Sequence, residues 1–83
     1  MKITVKYFAS IREVIGHGST VLETSATTLA MLRDELIASS PAHAEVLARG
    51  KAVRLALNQV MSDEAAGLVE GSEVAFFPPV TGG

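Results

Sequence analysis

The chain has 83 residues, enough to close one hydrophobic core and too few for two. Hydrophobic residues make up 48% and charged residues 19%, with no cysteine, so the fold is expected to form without disulfide or metal staples, as suits a cytoplasmic protein. A formal net charge of -2 without a Lys/Arg cluster argues against a nucleic-acid surface, and neither a secretory segment nor an apolar run of membrane-spanning length is visible, so the expected partners are proteins.

Lys2 to Phe8 alternates in period two, with Ile3, Val5 and Tyr7 on one face and Lys2, Thr4, Lys6 and Phe8 on the other, the pattern of a half-buried strand. A short helical turn is expected over Ser10 to Ile15. Gly16-His17-Gly18 then breaks the chain before a second strand near Thr20 to Thr24, completing a loose hairpin. Thr27 or Thr28 can cap a main helix whose Leu29, Leu32, Leu36 and Ile37 share a face and which Ser40-Pro41 stops. Pro41 suits the first turn of a second, Ala-rich helical piece, a satellite of the core that ends before Gly50.

Ala52 to Asn58 alternates again with Val53, Leu55 and Leu57 inward, followed by a short extended piece, Gln59 to Met61. Gly71 marks a turn before a last strand, Glu73 to Phe77. Strands followed by helices and further strands give an α+β class, a mixed sheet with one main helix packed on one face. No internal repeat or linker is visible, so residues 1–83 are expected to form one domain with a flexible tail at 78–83.

Familiar catalytic chemistry is absent. His17 and His43 lie in a glycine turn and on an expected surface helix, outside any nucleophile motif, and two isolated histidines are a poor metal set; no bound cofactor or metal is expected. Gly16-His17-Gly18 has Val21 where a dinucleotide fingerprint needs its third glycine, and no phosphate loop is present. Glu13, Glu35 and Glu64 read as solvated. What remains is the Pro78-Pro79-Val80-Thr81-Gly82-Gly83 ending. The prolines stop the sheet, and two glycines let backbone enter a channel too tight for a Cβ, with a reach of at most about 20 Å from Pro78. The reacting group is then the α-carboxylate of Gly83. With a pKa of about 3.3–3.7 it is ionised and a poor electrophile, so it needs activation by another protein, with ATP. Alternation also turns Phe8 and Phe77 away from the core: either the register bends at the strand ends and both rings rejoin the core, or they form an apolar docking patch next to that tail.

Phe8-Ala9-Ser10-Ile11-Arg12-Glu13, Leu57-Asn58-Gln59 and above all Leu68 through Gly83, ending in Phe76-Phe77-Pro78-Pro79-Val80-Thr81-Gly82-Gly83, resemble the small, sulfur-carrying subunits of molybdopterin synthase, a family with the ubiquitin-like β-grasp fold. The resemblance spans the chain; Ser72 departs from the Gly-Asp usual in the family's last turn. It implies that Gly83 is adenylated by an activating partner of the ubiquitin-activating type. A sulfur donor protein then converts it to a thiocarboxylate, and the tail inserts into the synthase large subunit, in a heterotetramer, to give its sulfur to cyclic pyranopterin monophosphate. The catalytic site would lie on the large subunit. The resemblance also implies a docking surface at Phe8, Met61 and Phe77. Other readings of the same tail are a carrier for thiazole or another thio-cofactor, a modifier conjugated to lysines, or a β-grasp interaction domain with an inert end.

Overall fold

The computed structural model describes residues 1–79; Val80, Thr81, Gly82 and Gly83 lie outside the described residues. In chain order the elements are β1 (Lys2–Tyr7), α1 (Ala9–Ile15), β2 (Ser19–Glu23), α2 (Leu29–Ser39), α3 (Pro41–Leu47), β3 (Arg54–Leu57), β4 (Val60–Ser62) and β5 (Glu73–Phe77). The sheet order is β2-β1-β5-β3-β4, with β1 and β5 parallel at the centre and antiparallel neighbours outward. The first and last strands therefore lie side by side, and everything between them forms the crossover that a parallel pair requires.

The inward positions of β1 and β5, Ile3, Val5, Tyr7, Val74 and Phe76, are all buried, and Leu55 of β3 joins them. Against this face packs α2 through Leu29, Leu32 and Leu36, opened by Thr28, whose side chain accepts from the Met31 backbone N–H. Ile37, expected on the same stripe, is only half-buried, and the fourth buried position of α2 is Arg33. The satellite role expected for α3 needs correcting, because Leu47 is fully buried in the core. Nor does Gly50 supply its C-terminal turn: the helix stops at Ala48 in extended backbone.

Arg33 explains that ending. Its Nε donates to Leu47 O at 2.7 Å, at the helix end, and its Nη2 donates to Ala48 O at 2.8 Å and Lys51 O at 3.2 Å, tying α3 to the turn that follows, where Ala48 O also accepts from the Lys51 N–H at 2.8 Å. Glu64 lies 3.7 Å from Nη1 and also pairs with Arg49, so it is part of an ion network, not the solvated carboxylate expected from sequence. Glu35 accepts from Thr24 Oγ1 at 2.7 Å and is exposed, as is Glu13. Burial, with Arg49 nearby, lowers the pKa of Arg33 from its ordinary value, while Asp34 acts in the opposite sense. Replacing Arg33 by Met keeps the length and removes all three bonds, leaving Leu47 O without its side-chain donor. Since hydrogen bonds to a charged group contribute about 1.5–3 kcal/mol, a loss of that order in urea denaturation is expected, with Arg33→Lys recovering less than half. An unchanged midpoint for Arg33→Met would show that the fork does not hold α3.

Two turns set the right half of the sheet. Asn58 and Gln59 both take positive φ, 49° and 69°, which makes a tight β3–β4 hairpin whose return arm is Val60–Ser62, one residue later than the expected Gln59 to Met61. Asn58 Oδ1 also accepts from the Glu73 N–H at 2.9 Å, tying this turn to β5. Gly71 takes φ 82°, a conformation costly for other residues, and the buried Ser72 hydroxyl accepts from the Val69 N–H at 3.0 Å, closing the turn.

Candidate functional site

The face of the sheet opposite the core cluster carries Lys2, Thr4 and Lys6 of β1, Glu73, Ala75 and Phe77 of β5, and Arg54 and Ala56 of β3. Phe8 extends the same row. Its backbone N–H still donates to Phe76 O at 3.1 Å, and Ala9 then adopts a left-handed φ of 51°, which turns the chain out of the strand into α1. The Phe8 ring is left 46% exposed. It meets half-buried Phe77 edge to face, with ring centroids 6.3 Å apart.

Met61 lies on this face too. It stands opposite Ala56, which stands opposite Ala75, so with strands about 4.8 Å apart one small side chain, Ala56, lies between Met61 and the β5 row. Met61 is 52% exposed. The three expected docking residues thus share one uncovered face, with Phe8 and Phe77 in contact and Met61 across an alanine floor. Val21, opposite Thr4 on the edge strand and 63% exposed, belongs to this face as well. Period-two alternation in β2 held that signal. Lys6 and Glu73 pair at 3.7 Å on the same side.

Pro78 and Pro79 follow Phe77 directly and end the ladder. With Val14 of α1, Val46 of α3 and Val53 they line a groove of about 530 Å³ at the root of the tail. The rest of the expected insertion segment, Val80, Thr81, Gly82 and the reactive Gly83, falls outside the described residues.

His17 is exposed, as its glycine turn suggested, whereas His43 is half-buried, and both rings meet one tyrosine. His17 and His43 each place a ring 5.7 Å, centroid to centroid, from that of Tyr7, at steep interplanar angles of 76° and 71°. Tyr7 is buried, its hydroxyl has no hydrogen-bond partner among the described residues, and burial pushes its pKa up to about 12, so it is a neutral phenol. Sequence could not reveal this cluster, because the two histidines sit in different elements and meet only through β1. Among the described residues no group of three or more His, Cys, Asp or Glu is arranged to hold a metal ion, and no helix is long and apolar enough to cross a membrane.

Comparison with known proteins matches residues 5–83 to the ThiS family. The chain is 41% identical over 81 residues to the molybdopterin synthase sulfur carrier subunit of Escherichia coli (strain K12), covering 98% of this chain and 99% of that one. To the protein of the same name from Haemophilus influenzae it is 37% identical over an equal span, again covering 98% and 99% of the two chains. Among solved structures it resembles SAMP1 from Haloferax volcanii, with a TM-score of 0.81 at 25% identity over 100% of both chains. It also resembles a chain in the complex of subunits 1 and 2 of molybdopterin-converting factor from Helicobacter pylori, with a TM-score of 0.71 at 26% identity over 100% of both.

Proposed function

The chain belongs to the ThiS family, and from that premise we propose that it is the sulfur carrier subunit of a molybdopterin synthase, acting in molybdenum cofactor biosynthesis. The observation that carries this reading is identity of 41% along almost the whole length of a carrier subunit. The archaeal modifier is similar in fold at 25% identity, so the sequence places the chain closer to the synthase carriers than to a conjugated modifier.

The chemistry follows from the one reactive group. The Gly83 carboxylate attacks the α-phosphorus of ATP on an adenylating partner, releasing pyrophosphate and giving an acyl-adenylate. Sulfide-level sulfur delivered by a donor protein attacks the acyl carbon, displaces AMP and leaves a thiocarboxylate. That sulfur passes to cyclic pyranopterin monophosphate, and Gly83 returns to a carboxylate after hydrolysis. A dithiolene needs two sulfurs and each carrier brings one, which suits two carriers on a large-subunit dimer. This chain contributes the docking face and the narrow tail, and the large subunit supplies the catalytic groups. Pro78 and Pro79 set the tail's direction, and Val80, Thr81 and Gly82 carry Gly83 to the site. The complex formed by the two Helicobacter pylori subunits supports a second-subunit partner, and the exposed row at Phe8, Met61 and Phe77 is the proposed seat for it.

Intact-mass analysis after incubation with adenylating enzyme, ATP and a sulfur donor is expected to show one oxygen exchanged for sulfur, with fragments locating it at Gly83. Sulfur mapped to any other residue overturns the carrier mechanism. Capture of the large subunit from the native organism separates this role from thiazole synthesis, where a different synthase would be recovered.

A further inference from the structure

His17 and His43 are brought together on one buried tyrosine by three elements, the turn after α1, strand β1 and helix α3. A groove of about 320 Å³ lies beside them, bordered by Thr20, Leu22 and Leu36. Ser40 caps α3 by accepting the His43 backbone N–H at 3.1 Å, and its Oγ lies 2.6 Å from His43 Nδ1. The hydroxyl can donate to Nδ1 or accept from it, so either neutral tautomer keeps this bond. In the doubly protonated ring Nδ1 is the donor to Ser40 Oγ, and a cation stands beside His17 at the buried ring of Tyr7.

We infer that the His17–Tyr7–His43 cluster is a proton-operated latch, in which neutral imidazoles clamp α3 and the α1–β2 turn onto Tyr7 and protonation in mildly acidic solution releases α3. Two carboxylates, Glu35 and Glu23, border the same groove, and burial together with His17 still sets the direction of the His43 shift. Glu35 of α2 is engaged by Thr24 Oγ1 at 2.7 Å, and Glu23 of β2 lies 3.4 Å from the Met1 ammonium. On α1, Arg12 and Glu13 border the outer side of His17 as a pair of opposite sign, and Tyr7 on β1 is neutral. Burial, then the neighbouring His17, lower the pKa of His43 from 6.5. The sign is fixed by that direction: the folded state disfavours the proton, so the contribution of His43 to stability is complete above pH 6.5 and is lost as pH falls below it toward the folded value.

The latch reaches the tail root because α3 also presents Val46 and Glu45 to the groove lined by Pro78 and Pro79. Its consequence for sulfur transfer rests on the carrier reading; the latch itself does not, and it is tested in the free chain. NMR hydrogen exchange, corrected for intrinsic rates, is read at Ala44, whose N–H donates to Ser40 O at 3.0 Å, and at Val5 in the central sheet. Between neutral and mildly acidic pH, protection at Ala44 is expected to fall several-fold while Val5 holds. His43→Gln should abolish the fall. In His17→Gln, an exposed turn variant that leaves the core intact, the His43 ring should titrate at a higher pH once its like-charged neighbour is gone. Equal protection of Ala44 at both pH values, an undiminished fall in His43→Gln, or an unmoved His43 midpoint in His17→Gln each overturn the latch.

Discussion

One residue added after Gly83 is expected to abolish sulfur transfer while leaving docking on the large subunit intact. In the proposed carrier reaction the reacting atom is the carbonyl carbon of Gly83, and an added residue buries that carbon inside a peptide bond while moving the new carboxyl group about 3.5 Å along the chain. A misplacement of about 1 Å can already cost about a hundredfold in rate, so transfer should fall below detection. Replacing Gly82 by Val should act through a different cause, since it adds a β-branched side chain and narrows the backbone choices one residue before the reacting group. Neither change touches the core, whose members all lie between Ile3 and Phe76, so thermal stability should match the parent chain. The measurement pairs molybdopterin formation by reconstituted synthase with affinity for the large subunit. The Gly82→Val carrier is supplied already thiocarboxylated, so that a defect in activation is not mistaken for one in transfer. Parent rates from both variants would show that the tail does not deliver its carbon to a fixed site.

The strands and main helix were legible in the sequence because each has one dry face. Ile3, Val5 and Tyr7, and Val74 with Phe76, alternate cleanly, and all five are buried. The outward turn of Phe8 and Phe77 follows from the same alternation, since a residue one step from a buried strand position must face the other way. What stayed hidden depends on partners distant in sequence. The core role of α3 comes from Leu47 alone, in an Ala-rich segment, and from a guanidinium reaching 14 residues from Arg33 to its carbonyl. Glu64 looks like any solvated loop acid until Arg33 and Arg49 converge on it. Asn58-Gln59 carries only a partial turn signal, because Gln is not among the residues that favour positive φ, and the tie from Asn58 to Glu73 crosses from β3 to β5. The reactive end is the reverse case: its chemistry is read from Gly82-Gly83 in the sequence, while the structure describes the platform from which it departs.

Truncating two adjacent phenylalanines is expected to separate the core from the docking face. Phe76 is fully buried, stacked near Tyr7 at a centroid distance of 6.1 Å and paired in register with Leu55, so Phe76→Ala should cost about 3–5 kcal/mol of folding stability. Because domains are stable by only about 5–15 kcal/mol and this one is small, that loss should leave a substantial unfolded fraction at physiological temperature. Phe77 stands one residue on and faces the other way, half-buried against Phe8 across an exposed face. Phe77→Ala should leave the core packed and weaken large-subunit binding by about 2 kcal/mol or more, roughly 30-fold, as truncated aromatic anchors do. Phe8→Ala should weaken binding in the same direction and less than additively with Phe77→Ala, since each ring forms part of the other's support. Met61→Ala should add independently, being separated by Ala56 and Ala75. Urea denaturation and binding titration on each variant decide the assignment. If Phe77→Ala unfolds the free chain while affinity per folded molecule is unchanged, its ring serves the fold, and the outward face loses its central anchor.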